Sequence, residues 1–180
     1  PNFDKVYADT KKYIQNNVPA PVVAYDRGEW AVLGLARAGV TLSDEYIQAY
    51  HDKVVAYVQS HMGDDGVLLA SGNAPTITDN ERIILALTAI GKDPADVGGA
   101  NLLTALQDKN IMKVDEDSDT DINGLVFGLL ALNSGNYTQD SYWLVQAILD
   151  QRNKDGSWSA KFIGKPTGDV DMTAMALQAL

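Results

Sequence analysis

Apolar residues along the chain fall into two alternating kinds of run. Four runs are apolar nearly all round and rich in Ala, Gly and Leu, each opening near an acidic or amide residue: 27–39, 79–91, 121–132 and 169–180. A helix without a polar face is one buried on most sides, and small side chains let neighbouring backbones approach closely. Between these runs lie Asp4 to Asn16, Asp44 to Gln59, Asn101 to Lys109 and Asp140 to Arg152, each with a narrower apolar stripe and a polar face. These read as outer, half-exposed helices.

The apolar runs share a register. Glu29, Glu81, Asn123 and Asp171 occupy the same place in each, at intervals of 52, 42 and 48 residues. Ser43 and Thr138 stand where N-caps are expected, and Gly39, Gly91 and Gly135 fall just past helix ends. The linkers recur as well: Asp65-Gly66 precedes Asp79 as Asp155-Gly156 precedes Asp169. Two helices per repeat of this length imply helix pairs stacked side by side, either as an open solenoid or as a ring with the apolar helices inside.

Composition narrows the function classes. The 180 residues suit a single domain spanning 1–180 with a core of its own. The formal charge of -10 repels phosphate backbones and anionic lipid, so nucleic acid is not an expected partner. No apolar run approaches the roughly 18 residues that cross a bilayer, so no membrane insertion is expected. Cysteine is absent, which excludes a thiol nucleophile, a thioester, a cysteine-ligated zinc and any disulfide framework. Asp171 to Leu180 is in full helical stride at the last residue, and the domain reads as one cut short at its C-terminus.

Two motifs carry a family resemblance. Asn153-Lys-Asp-Gly-Ser-Trp158 resembles the end of the QW-type repeat of terpenoid cyclases and protein prenyltransferases, with Arg152 where that repeat has Gln and Gln151 one place earlier. Asp169-Val-Asp-Met-Thr-Ala-Met-Ala-Leu resembles the inner-helix start of the same superfamily, which also includes complement-type thioester domains and cobalamin carriers. The resemblance implies an all-α fold of helix-pair repeats forming a partial (α/α) toroid, about four pairs, with inner and outer helices alternating. The chain is most similar to the prenyltransferase/squalene-oxidase-type repeats of large secreted or cell-surface proteins of Gram-positive bacteria. An extracellular or surface location is the corresponding expectation.

Asp169-x-Asp171 matches the acid motif of class II cyclases, in which the middle carboxyl, here Asp171, protonates an alkene or epoxide. Such an acid needs a dry cavity and a second carboxylate to stay neutral. Met172 replaces the last acid of the motif, and the apolar runs offer few aromatics beyond Trp30 and Phe127. The alternative is that Asp169 caps the helix and both acids favour its positive end. Prenyl transfer by zinc requires a Cys that is absent, and His51 and His61 both belong to the second outer helix. Asp119, Asp121, Asn123 and Gly124 copy the first half of an EF-hand loop, with Asp117 a further candidate calcium ligand beside Asp119 and Asp121, but Leu130 stands where the closing bidentate acid belongs. A solvated acidic loop leading to a cap is the competing reading.

The expectation is therefore a non-catalytic binding domain without a cofactor. Its ligand would be a small molecule, glycan or protein, held on the rim where Glu29, Trp30, Glu81, Asn123 and Asp171 gather if the ring closes. Tyr25 and Phe162 would add to an aromatic rim there. The alternatives are a cyclase-like enzyme using Asp171 and a corrinoid (cobalamin) binder.

Overall fold

The computed structural model describes residues 2–24, 28–70, 73–114, 120–138, 140–160 and 168–180. The fold is all-α. Eight helices follow in order: α1 (Phe3–Asn17), α2 (Gly28–Arg37), α3 (Asp44–His61), α4 (Ile77–Ala89), α5 (Leu103–Gln107), α6 (Ile122–Ser134), α7 (Tyr142–Asp150) and α8 (Val170–Ala179). Among the described residues, extended pairing is confined to four isolated bridges, and no sheet forms.

The helix ends follow from local chemistry. Ser43 accepts a hydrogen bond from the Tyr46 N–H at the start of α3, and Asp121 accepts from Asn123 and Gly124 at the start of α6. Each satisfies donors that the first helical turn leaves unpaired. Gly39 and Gly91 take positive φ beyond α2 and α4, a conformation that costs an L side chain roughly 1–2 kcal/mol.

Two expectations shift. The helix expected over Asn101 to Lys109 contracts to Leu103–Gln107, because Asn101 and Asp108 turn their side-chain oxygens onto the N–H groups of Leu103 and Asn110. These short-range bonds offer the backbone an alternative to helix at both ends. Thr138 does not cap α7. Its hydroxyl exchanges hydrogen bonds with the backbone of Asp140, and the helix begins after Ser141.

The apolar helices pack on one another in succession, α2 on α4, α4 on α6 and α6 on α8. Helix α1 lies on α2, α5 on α4 and α6, and α7 on α6. The core between these layers contains Val32, Ile84 and Val126, and α3 adds Tyr50, Val54 and Val58. Fully burying one such aliphatic side chain stabilises by about 1.5–3 kcal/mol.

The two Asp-Gly linkers adopt one turn. In each, the glycine takes positive φ and the aspartate side chain accepts the N–H two residues on, that of Val67 or Ser157. Gly63 N–H reaches Val67 O at 2.9 Å, as Asn153 N–H reaches Ser157 O at 2.8 Å. Leu68 and Trp158 then take matching buried places. Trp158 donates its indole N–H to Ile148 O at 2.7 Å and its backbone N–H to Thr173 Oγ1 at 3.0 Å, tying the end of α7 to the start of α8.

Candidate functional site: a cleft between the apolar helices

Each apolar helix turns one face to the core and another to a shared open cleft of about 880 Å³. Leu33, Leu85, Phe127 and Met175 form one level of its wall, one residue from each of α2, α4, α6 and α8. Each lies four positions after Glu29, Glu81, Asn123 and Asp171, so the wall repeats the intervals of the sequence register. Ala36, Thr88, Leu130 and Gln178 form the next level in the same way. Helical geometry produces this, because positions i, i+3, i+4 and i+7 share a face.

The wall is graded along its length. At its first levels stand Trp30, Leu33, Leu85, Phe127 and Met175, and the rings of Trp30 and Phe127 meet with centroids 5.6 Å apart. At the far end stand Arg37, Asn133, Ser134 and Gln178. Along the helix axes the lining runs from Trp30, one position past its register residue, to Ser134, eleven past its own, roughly 15 Å at 1.5 Å per residue. Among the described residues no acidic side chain lines this cleft, and Arg37 is the one charged residue in its lining.

The register acids themselves lie elsewhere. Glu29 is fully buried: one carboxylate oxygen accepts the Ala24 N–H at 2.5 Å and the other has no partner. Glu81 is fully buried between α4 and α6, with both oxygens unpartnered. Gly124 and Gly128 of α6 make its room, since a Cβ built on Gly128 would stand 3.4 Å from Glu81 Oε1. Burial holds both carboxyls above the usual carboxylate range, and Glu81 well above it. The charge of Arg82 offsets this in part, while Asp121 adds to it at Glu81. Arg82 pairs with Asp79, whose other oxygen accepts the hydroxyl of Tyr57 at 3.1 Å. Burial and the Asp79 charge push that phenol up to about 12.

Of the residues named for the rim, Trp30 lines the cleft, Asn123 is half-buried in the first turn of α6, and Asp171 is exposed in the first turn of α8. Asp169 caps α8, accepting the Met172 N–H at 2.8 Å. Asp121 is occupied as the cap of α6, while Asp117 and Asp119 lie outside the described residues, as do Tyr25 and Phe162. Among the described residues no group of three or more His, Asp or Glu converges to hold a metal ion. His61 stacks on Tyr57 at the end of α3, and His51 is half-buried on the same helix. Trp143 is half-buried on α7 with the Lys109 ammonium over its ring.

Apart from Phe127, the wall residues at i+4 and i+7 carry no mark in the sequence that sets them apart from their neighbours. In runs that are apolar all round, core-facing and cleft-facing positions carry the same residue types. The available signal was the register itself, continued past its opening acid. No protein-family model, curated protein or solved structure matches the chain, and no helix among the described residues is long and apolar enough to cross a membrane.

Proposed function

We propose that the chain is a sector of an (α/α) toroid related to the terpenoid cyclase and prenyltransferase repeats. Its role is that of a non-catalytic binding domain of a secreted or surface-exposed bacterial protein, taking an elongated amphipathic small molecule in the cleft. The observation that carries this reading is the wall: four helices each contribute an equivalent residue to one graded surface, apolar at one end and polar at the other. The volume falls in the range of small-molecule sites, which are mostly apolar with a few polar groups that set orientation. An apolar end built from Trp30, Leu33, Leu85, Phe127 and Met175 favours a hydrocarbon body over a glycan.

The cyclase alternative has no support of this kind. Asp171 is exposed and stands apart from the cleft, and the buried acid Glu81 is closed off from it. A general acid must reach the atom it protonates.

The test uses a saturated primary alcohol about as long as the wall, brominated at its far end so that it quenches a nearby indole. Trp30 is expected to be quenched saturably, and Leu85→Glu, which puts a charge on the apolar wall, should abolish the effect without unfolding the chain. Absence of quenching, or quenching that persists in Leu85→Glu, would refute the cleft as the site. Spin labels on α2 and α8 would test the curvature, because a straight stack sets these helices farther apart than an arc does.

A further inference from the structure

The polar end of the cleft departs from the repeat. Eight positions after the register residue, α4, α6 and α8 carry Ala89, Ala131 and Ala179, whereas α2 carries Arg37. Helix α6 also runs on to Ser134, eleven positions past Asn123, while α2 and α4 stop eight positions past Glu29 and Glu81. The extra turn brings Asn133 and Ser134 into the lining that Arg37 shares.

A cation in the last turn of α2 is favoured by the helix dipole whatever it faces. What Arg37 faces is the cleft. Trp30 and Arg37 stand seven residues apart, so they share one face of α2 about 10 Å apart along its axis, and both belong to the lining. Arg82, the other arginine of α2, α4, α6 and α8, is taken by Asp79. Among the described residues no carboxylate pairs with Arg37 and none lines the cleft. Ser134 spends its hydroxyl proton on Ala131 O at 2.7 Å, and Asn133 and Gln178 contribute amides, which can donate or accept. The polar end therefore offers one full positive charge, neutral groups that suit either sign, and no negative charge.

We propose that the ligand of the cleft is a long-chain monocarboxylate, its carboxylate held by Arg37 and its hydrocarbon chain lying along α2 towards Trp30 and Phe127. This rests on the reading of the cleft as the site of an amphipathic small molecule, and it names the head group. A guanidinium presents paired N–H donors that match the two oxygens of a carboxylate, and its one charge balances one anionic charge. An ammonium head would meet Arg37 with like sign. A phosphate dianion would bring a second charge that no other cation of the lining answers. The net charge of -10 opposes the approach of any anion, but at physiological ionic strength screening confines that repulsion to about 8 Å. Arg37 is exposed, so the pair it forms is partly hydrated and its contribution is that of a surface ion pair.

The experiment compares four saturated probes of equal length, each brominated at the end away from its head and used below its micelle concentration: the primary alcohol, the carboxylate, the alkylammonium and the alkyl phosphate. The signal is the part of the indole quenching that Trp30→Phe removes. At low salt the carboxylate is expected to bind about threefold to fivefold more tightly than the alcohol, the size of an exposed ion pair, and the ammonium most weakly. Raising the salt to about 1 M should shrink the preference of carboxylate over alcohol. Arg37→Gln should erase that preference, and Arg37→Lys should restore part of it. Moving the bromine next to the carboxylate should weaken the quenching of Trp30, because the head then lies at the other end of the wall. Equal affinities for carboxylate and alcohol, tighter binding of the ammonium or the phosphate, or a preference that survives Arg37→Gln would overturn the carboxylate while the quenching itself keeps the cleft as the site. No quenching by any of the four probes would overturn both.

Discussion

Replacing Glu81 with Gln isolates the most unusual group in the molecule. The carboxyl is fully buried, makes no hydrogen bond and occupies the space left by Gly124 and Gly128. An ionised carboxylate there pays desolvation without a partner, so the folded chain holds the proton well above the ordinary carboxylate range. The charges facing it are Arg82 on its own helix, which favours ionisation, and Asp121 at the start of α6, which opposes it; burial outweighs both.

The linkage sign follows directly. The folded state binds this proton more tightly than the unfolded state, so the stabilisation is complete below the unfolded carboxylate value of 4.5. It is lost as pH rises from there through the folded value, at about 1.4 kcal/mol per pH unit for one group. Gln has the same shape and no proton to lose. Urea unfolding followed by Trp158 fluorescence should therefore give equal stabilities for wild type and Glu81→Gln near pH 4, and a growing advantage for Glu81→Gln towards pH 8. Glu29, also raised by burial but relieved by the Ala24 N–H and Arg82, leaves a narrower residual slope in the variant. Parallel stability curves for the two proteins across this range would refute the account, because an ionised Glu81 would then be accommodated at no cost.

Three further outcomes follow from the same geometry. Leu129→Ala should destabilise the monomer by about 2–5 kcal/mol in urea unfolding, whereas Leu177→Ala at the equivalent position should stay within about 0.5 kcal/mol. Asp169→Ala should cost about 1 kcal/mol through the lost cap on α8, and Asp171→Asn next to it should leave the unfolding midpoint in place. Trp158→Phe removes the buried bond to Ile148 O and leaves that carbonyl without its donor; a loss of about 1–3 kcal/mol is expected, with earlier hydrogen exchange at the end of α7.

Much of the architecture was legible because it is decided locally. The all-α class, the eight helical segments and the Ser43 and Asp169 caps rest on periodicity and on side chains that reach donors three residues away. The Asp-Gly turns rest on the same short range, since a glycine that tolerates positive φ and an aspartate that accepts the N–H two residues on need no tertiary partner. Where local bonds compete with helix, as around Asn101 and Asp108, the same chemistry shortened α5, and the apolar pattern alone missed it. The register of Glu29, Glu81, Asn123 and Asp171 was also visible in the chain.

Tertiary packing decided what that register is for. The opening acids are sealed in the core or exposed at a helix start, and the cleft wall lies one and two turns further on. Leu129 and Leu177 are the same residue at the same register position, yet one is exposed by 1% and the other by 64%. Nothing in either local sequence sets them apart. Burial is a property of what neighbouring helices bring to a face. Periodicity fixes which side chains share that face; only the assembled helices determine whether it meets the core, the cleft or water.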